Sequence, residues 1–180
     1  MTAPARPDTP AGALVAEAVR QGLTLATAES LTGGALAAAV VDVPGASACF
    51  EGAVVSYSNR VKAEVLGVPA ELLAARGSVD PEVATAMAEG VRRRLGTDWG
   101  VSTTGVAGPE AHDGRPVGTV YVGLAGPGGR AVHELRLSGD RAAIRTATVA
   151  QALRLLTGAL TANSKEKSRP GGEEWNHQRG

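Results

Sequence analysis

The sequence predicts a single α/β domain, a sandwich in which helices pack against a mixed β-sheet. Short β-rich apolar runs alternate along the chain with segments that carry apolar residues at helical spacing, which is typical of α/β folds. Residues 126–129, rich in glycine, separate two β-rich runs and predict a hairpin. Because helical crossovers join parallel strands and a hairpin joins antiparallel ones, the sheet should be mixed. The 180 residues are enough for one core.

The predicted elements follow one another without an internal repeat. Helices are expected over residues 11–21, 33–41, 58–66, 81–95 and 140–160, and strands over residues 23–28, 49–57, 99–103, 117–125 and 131–137. The clearest helix start is Asp80-Pro81-Glu82, which combines an N-cap residue, a proline at the first helical position and an acid in the first turn. Asp140 is expected to cap the last helix, whose apolar face comprises Val149, Leu153, Leu156 and Leu160.

Both ends of the chain are expected to be disordered, over residues 1–10 and 163–180. The first ten residues contain three prolines, and from Asn163 onward the chain turns polar without periodicity. The folded domain should therefore span residues 11–162. Neither a secretory leader nor an apolar run approaching the roughly 18 residues of a membrane span is apparent, so we expect a cytoplasmic protein without a membrane partner.

Composition argues against several further classes of function. Lys and Arg together number 18, as do Asp and Glu, so the chain lacks the net positive charge expected of a nucleic-acid-binding protein. Cys49 is the single cysteine and is expected to be a buried structural thiol. No Cys/His pattern has metal-ligand spacing, so neither a metal nor a cofactor is expected. The Ala- and Val-rich faces are compatible with a homo-oligomer, and the sequence does not give the oligomeric state.

Residues 27–34, TAESLTGG, contain the most informative motif. They follow an apolar run and lead into an Ala/Val-rich segment, so a hydroxyl and two glycines lie where a strand gives way to a helix. Free amide groups at such a helix start attract an anion or a developing oxyanion. Ser30 can serve there as an N-cap residue or as a nucleophile, and the two roles are compatible.

Two further segments contain groups that could bind a ligand or take part in catalysis. Residues 104–109 form a second glycine-rich turn after a predicted strand, where α/β sheets bind ligands. Residues 56–62 gather hydroxyls, a phenol and cations, and Lys62 lies four positions after Ser58 on one helical face. A partly desolvated lysine can act as a base, although a surface lysine is the alternative. His112 is the one histidine near a candidate site, but a Ser–His–Asp triad lacks its usual GxSxG motif.

With these residues in view, the chain resembles the CinA C-terminal domain family, the nicotinamide-nucleotide amidohydrolases often called PncC. The resemblance rests on five segments in the family's order: TAESLTGG (27–34), VSYSNRVKAEVLGV (55–68), STTGVAGPE (102–110), PVGTVYVGLA (116–125) and GDRAAIRTATV (139–149). It implies a three-layer α/β/α sandwich. It also implies that the chain hydrolyses the carboxamide of nicotinamide mononucleotide, a small-molecule nucleotide, to nicotinic acid mononucleotide and ammonia in pyridine-nucleotide salvage.

The resemblance also assigns roles to residues. Ser30 becomes the nucleophile and Lys62 its general base, with Tyr57 assisting and Thr104 supporting the site. Arg141 or Arg145 would bind the nucleotide phosphate, and the alignment leaves the choice between them open. The remaining residues expected to contact substrate lie in or beside the same motifs: Glu29, Thr32, Gly33, Gly34, Arg60, Gly105, Ala107 and Gly108.

The residue types suit this chemistry. A lysine that works near neutral pH needs a pKa well below its ordinary value of about 10.4, which burial and a neighbouring guanidinium such as that of Arg60 would supply. Amide groups near Gly33 or Gly105 could receive the oxyanion. One departure from the family matters: the loop after Pro109 reads Glu110-Ala111-His112-Asp113 where the family is usually glycine-rich. A non-catalytic nucleotide- or partner-binding domain of the same fold is therefore the alternative hypothesis.

Overall fold

The computed structural model describes residues 8–167 as five strands and six α-helices. The strands are β1 (Leu25–Glu29), β2 (Phe50–Val55), β3 (Trp99–Gly105), β4 (Thr119–Gly126) and β5 (Gly129–Arg136). The helices are α1 (Pro10–Gln21), α2 (Ala35–Val41), α3 (Asn59–Glu64), α4 (Ala70–Arg76), α5 (Pro81–Leu95) and α6 (Arg141–Lys167), with a 3-10 turn at Ala46–Ala48. No candidate membrane span occurs among these helices.

The sheet has the order β2-β1-β3-β4-β5 and is mixed, as the sequence predicts. β1 pairs in parallel with both β2 and β3, whereas β4 pairs antiparallel with β3 and with β5. The carboxyl ends of β1, β2 and β3 therefore meet at one edge. Because β2 and β3 lie on opposite sides of β1, this edge is the topological switch point at which open α/β sheets bind ligands.

Two helical layers cover the sheet and complete the predicted α/β/α sandwich. Helices α1, α2 and α6 pack on one face and bury the larger apolar cluster, which includes Leu14, Leu36 and Leu156. On the other face α5 crosses the strands, and its Val83 and Met87 pack with residues 66–73 and with the alternate residues of β1. The successive side chains of β1 thus point into different layers, as the pleat requires. Cys49 is buried as expected.

Glycines bring α5 into direct contact with the sheet. A Cβ atom at Gly123 of β4 would lie 2.3 Å from the carbonyl oxygen of Ala84, and one at Gly100 of β3 would lie 2.2 Å from that of Ala88. Neither distance is attainable for real atoms, so no side chain can replace hydrogen at these positions without moving the helix. This close packing sets the position of α5 relative to the sheet, and so that of its N-cap residue Asp80, which borders the site described below.

Most element boundaries shift by one or two residues from the prediction, and some departures are larger. Helix α4 was not expected, and α2 begins at Ala35 rather than at residue 33. Thr9 caps α1 at Pro10, so the last residues of the expected N-terminal disordered segment belong to the fold. Helix α6 continues to Lys167, because polar Lys and Glu residues favour a helix as long as no proline intervenes. The rest of the two expected disordered segments, residues 1–7 and 168–180, lies outside the described residues.

Gly123→Ala should destabilise the fold, since its new methyl group overlaps the Ala84 carbonyl. We expect the free energy of unfolding to fall by about 2–3 kcal/mol. Gly158→Ala is the matched control: Gly158 lies exposed in α6 with no atom within 4 Å of a Cβ, and alanine should stabilise the helix by about 0.5–1 kcal/mol. Urea denaturation measures both, and equal midpoints for the two variants would contradict the packing described here.

Candidate active site

Ser30 follows β1 directly at the carboxyl edge of the sheet. Its amide donates a hydrogen bond to the Thr103 carbonyl of β3 at 2.9 Å, and its own carbonyl accepts one from the Gly33 amide at 3.1 Å. The serine is thus held rigidly where β1 meets β3, with 9% of its surface exposed. Of the two roles predicted as open to Ser30, that of N-cap is not the one it takes. The N-cap of α2 is Gly34, whose φ of 96° suits glycine.

Glu29 caps α2 with its carboxylate instead. Oε2 accepts from the amides of Gly34 (2.9 Å) and Leu36 (3.0 Å), and Oε1 accepts from the amide of Ala37 (2.8 Å). A carboxylate is well placed there, because it satisfies free N–H groups and faces the positive end of the helix dipole. Glu29 is 0% exposed. Contrary to our expectation, neither Glu29 nor the Gly34 amide is free to contact a substrate.

Polar contacts also fix the turn that connects Ser30 to α2. The hydroxyls of Thr32 and Thr103 lie 2.7 Å apart in a buried hydrogen bond, so the Thr32 side chain is not free for a substrate either. Arg145 of α6 donates from Nε to the Leu31 carbonyl and from Nη2 to the Thr32 carbonyl, both at 2.9 Å. Arg145 therefore tethers the turn. The φ of Gly33 is 58°, in the left-handed region that glycine adopts most readily.

Lys62 lies on α3, whose N-terminus is capped by Ser58, and its side chain runs under Ser30 with 1% of its surface exposed. Its Nζ lies 3.2 Å from Ser30 Oγ and also donates to the carbonyls of Ser56 (3.0 Å) and Tyr57 (3.5 Å). Burial lowers the pKa of the Lys62 ammonium to about 8, while the Asp113 carboxylate opposes this shift. About a tenth of Lys62 is therefore neutral at pH 7, far more than of a lysine with the ordinary pKa.

The three contacts of Nζ suit a base. A neutral amine has two N–H donors and one lone pair. If the two N–H groups point to the carbonyls of Ser56 and Tyr57, the lone pair faces Ser30 Oγ, where it can accept the hydroxyl proton. His112 makes no hydrogen bond with Ser30 among the described residues, so the serine's partner is lysine rather than histidine.

Arg60 does not take part in this pair. Its guanidinium lies in solvent on the outer face of α3 and forms an ion pair with Glu64 at 2.6 Å. The expected contribution of Arg60 to the lowered pKa of Lys62 is absent, and desolvation alone accounts for the direction of the shift. Arg60 does not line the cleft described next.

A cleft of about 580 Å³ opens beside Ser30. Residues from the ends of β1 and β3, from the β3–β4 loop and from the start of α6 line it: Ser30, Leu31, Tyr57, Ser78, Thr104, Gly105, Val106, Ala107, Gly108, Pro109, Glu110, Ala111, His112 and Arg141. Ser30 lies at its wall with Lys62 behind it. The volume falls in the range that small-molecule ligands occupy in proteins, about 300–1,000 Å³.

Tyr57 and Arg141 meet at the rim of the cleft. The Tyr57 side chain is 63% exposed and its hydroxyl accepts a hydrogen bond from Arg141 Nη2 at 3.2 Å, while Arg141 Nη1 donates to the Gly108 carbonyl at 2.9 Å. Tyr57 reaches Lys62 through its backbone carbonyl only, so the expected assistance by its phenol to the Ser30–Lys62 pair is not what the structure shows. Of the two candidate arginines, Arg141 borders the cleft.

The β3–β4 loop supplies backbone groups to the cleft. Thr104 is buried and its hydroxyl donates to the Ser78 carbonyl at 2.6 Å, so it supports the wall. Within residues 8–167, the amides of Leu31, Thr32, Ala107 and Gly108 make no hydrogen bond with the protein. The Gly33 amide, which we expected near the oxyanion, is occupied by the Ser30 carbonyl. The free amides beside Ser30 are those of the two residues that follow it.

Two residues that sequence reasoning did not assign to the site stand out, Ser78 and Asp113. The Asp113 carboxylate accepts hydrogen bonds from the amide (2.5 Å) and hydroxyl (2.8 Å) of Ser78. Only the departure of residues 110–113 from the family pattern hinted at this contact. As for metals, no group of three or more His, Cys, Asp or Glu side chains that could hold an ion occurs among residues 8–167.

Comparisons with known proteins agree with this architecture. A CinA-like protein from Frankia casuarinae is 52% identical over 149 residues, which are 83% of this chain and 34% of that protein. A CinA-like protein from Dictyoglomus turgidum is 46% identical over 143 residues, 79% of this chain and 35% of that protein. The chain thus spans about a third of the length of these relatives.

This chain also aligns with solved structures over most of their length. The competence/damage inducible protein CihA from Agrobacterium tumefaciens superimposes with a TM-score of 0.80 at 36% identity, covering 84% of this chain and 93% of that one. A CinA superfamily protein from Klebsiella pneumoniae gives a TM-score of 0.82 at 32% identity, covering 85% and 96%. The family model described as the CinA C-terminal domain matches residues 8–160. The chain belongs to the CinA C-terminal domain family.

Proposed function

We propose that this domain hydrolyses the carboxamide of nicotinamide mononucleotide, releasing nicotinic acid mononucleotide and ammonia, with Ser30 as nucleophile and Lys62 as general base. The observation that supports this most strongly is the 3.2 Å contact between Ser30 Oγ and the buried Nζ of Lys62, whose pKa is lowered to about 8. A serine hydroxyl needs such a base, since it is a weak nucleophile while protonated.

In the first half of the reaction Ser30 attacks the carboxamide carbon. Neutral Lys62 takes the hydroxyl proton as the Oγ–C bond forms, and the carbonyl oxygen becomes an oxyanion. The Lys62 ammonium then gives its proton to the amide nitrogen, the C–N bond breaks, and ammonia leaves an acyl ester on Ser30. A water molecule attacks this ester in the second half with Lys62 again as base, and the acid product leaves as the serine regains its proton.

The surroundings of the pair suit the other requirements of the reaction. The free amides of Leu31 and Thr32 are candidate donors to the oxyanion, because they follow Ser30 in the turn and no protein group occupies them. Arg141 lies at the rim, where its guanidinium can bind the phosphate of the nucleotide while the carboxamide reaches Ser30. Arg145 does not line the cleft, and its Nε and Nη2 groups hold the turn after Ser30.

The chain spans about a third of its longer relatives, so we propose for it only the amidase reaction.

Ammonia release from nicotinamide mononucleotide tests the proposal. The rate for the full chain should rise with pH and level off above about 8, since the neutral form of Lys62 is the active one and only about a tenth of it is neutral at pH 7. Ser30→Ala and Lys62→Met should each lose at least about 1,000-fold in kcat. Calorimetric binding of the nucleotide without turnover would instead identify a non-catalytic binding domain, and wild-type rates equal to those of the variants would reject the enzyme.

Substitution of Arg141 should weaken substrate binding, whereas substitution of Arg145 should lower the stability of the fold. Arg141→Ala should raise KM about tenfold or more with little change in unfolding, because the side chain is exposed at the rim. Arg145→Ala should lower the free energy of unfolding by about 2 kcal/mol, because two backbone carbonyls lose a charged donor. Steady-state kinetics and urea denaturation of both variants give the comparison. The reverse pattern would assign the phosphate to Arg145.

A further inference from the structure

We propose that Asp113 is a positioning residue of this site: its carboxylate fastens the loop of residues 109–115 to Ser78 and stabilises the positive charge that Lys62 acquires when Ser30 attacks. The inference rests on the proposed Ser30–Lys62 chemistry and adds a carboxylate to it. It concerns the segment in which this chain departs from the glycine-rich pattern of its family.

The loop is built as a small hairpin around Asp113. His112 and Arg115 exchange two backbone hydrogen bonds, at 3.1 and 2.9 Å. Between them Asp113 (φ 49°) and Gly114 (φ 69°) both occupy the left-handed region, as the two central residues of a type I′ turn do. Aspartate tolerates this conformation better than most side chains. The turn places Asp113 at the tip of the hairpin, and the hydrogen bonds with Ser78 hold its carboxylate.

The hairpin is attached to the segment before α5 at two points. Asp113 Oδ2 accepts both the amide and the hydroxyl of Ser78, and Arg115 Nη2 lies 3.6 Å from Oδ2 of the buried Asp80. The fit is tight, since a Cβ atom at Gly77 would lie 2.6 Å from Asp113 Oδ2. His112, in the wall of the cleft, directly precedes the first of these attachments.

A short chain of hydrogen bonds connects this attachment to the nucleophile. The Ser78 carbonyl accepts the Thr104 hydroxyl at 2.6 Å. Thr104 adjoins Thr103 in β3, and the Thr103 carbonyl accepts the Ser30 amide at 2.9 Å. Asp113 thus acts on the far wall of the cleft through Ser78 and Thr104, without contacting Ser30 itself.

The charge of Asp113 also reaches Lys62. Partial burial raises the pKa of the Asp113 carboxyl, but the hydrogen bonds from Ser78 lower it by more. The net pKa lies below the ordinary value, so the group is ionised at neutral pH. Its carboxylate raises the pKa of Lys62 against the larger effect of burial. The other charges nearby are engaged elsewhere: Glu29 accepts the amides of α2, Arg60 pairs with Glu64, and Arg115 pairs with Asp80. His112 lies beside Asp113, with Nε2 3.6 Å from Oδ1.

A carboxylate placed in this way has two opposite consequences for the rate. It decreases the neutral fraction of Lys62 at a given pH, and it favours the proton transfer from Ser30 by making Lys62 the stronger base. Removing the charge should therefore shift the pH profile and lower its plateau at the same time. A purely structural residue would not produce this combination.

Asp113→Asn tests the role of the charge, because the amide oxygen can still accept both hydrogen bonds from Ser78. The readout is the pH dependence of Ser30 sulfonylation by phenylmethylsulfonyl fluoride, followed by intact mass in the full chain, with ammonia release from nicotinamide mononucleotide measured in parallel. We expect the midpoint to fall by roughly half a pH unit and the plateau rate by about threefold. Glu71→Gln, which removes an exposed charge on α4, is the control and should match wild type.

Ser78→Ala tests the attachment of the loop separately from the charge of Asp113. It removes the hydroxyl donor to Asp113 and leaves the carboxylate in place, so KM for the nucleotide should rise about threefold or more while the midpoint stays within about 0.2 pH units of wild type. An unchanged midpoint and plateau in Asp113→Asn would overturn the proposal, as would failure of wild-type Ser30 to be labelled. Normal labelling with the predicted shift but no ammonia release would refute the substrate and uphold the role of Asp113.

Discussion

The burial of the Lys62 amine against Ser30 is the contact on which the chemistry of this domain depends. Taking an ammonium group out of water is costly, and the lowering of its pKa from 10.5 to about 8 corresponds to a penalty on the order of 3 kcal/mol for the charged form. The fold sustains this penalty because Nζ keeps three oxygen partners, from Ser30, Ser56 and Tyr57. Without burial the lysine would stay protonated, and without the carbonyls its lone pair would have no fixed direction.

The sheet topology brings these groups together. Parallel pairing of β1 with β2 and β3 places Ser30, the segment that leads to Lys62, and the β3–β4 loop at one edge. The turn after Ser30 is then held on two sides, by Glu29 through the amides of α2 and by Arg145 through the carbonyls of the turn. Such supports matter because a nucleophile must be held within a fraction of an ångström of its working position.

Much of this arrangement could be predicted from the sequence. The alternation of strand-like and helix-like segments predicts the mixed sandwich, and Asp80-Pro81-Glu82 predicts the start of α5. The motifs also place Ser30 and Lys62 in one site, although they lie 32 positions apart. Helix α4 was missed because Pro69, which follows the preceding helix, is also the N-cap residue of α4.

The roles of polar residues inside the motifs were harder to predict. Glu29 and Thr32 stand beside the nucleophile in sequence and were expected to contact substrate, and Arg145 was one of two candidates for binding the phosphate. Their donors and acceptors instead satisfy backbone groups of a tight turn or a buried hydroxyl. A sequence shows which polar groups are present, but the partner depends on backbone direction. The contact of Asp113 with Ser78 joins residues 35 positions apart in two loops, and no periodic pattern encodes it.

The central claim is that the fold lowers the pKa of Lys62 to about 8 by burying it beside Ser30, so that part of the lysine is neutral and can act as a base near physiological pH. Heteronuclear NMR titration of the Lys62 side chain, assigned by comparison with Lys62→Met, measures this property directly and needs no substrate. The account predicts a midpoint near pH 8 for Lys62, well below the ordinary lysine value of 10.5. A Lys62 midpoint near 10.5, together with a folded chain, would contradict it.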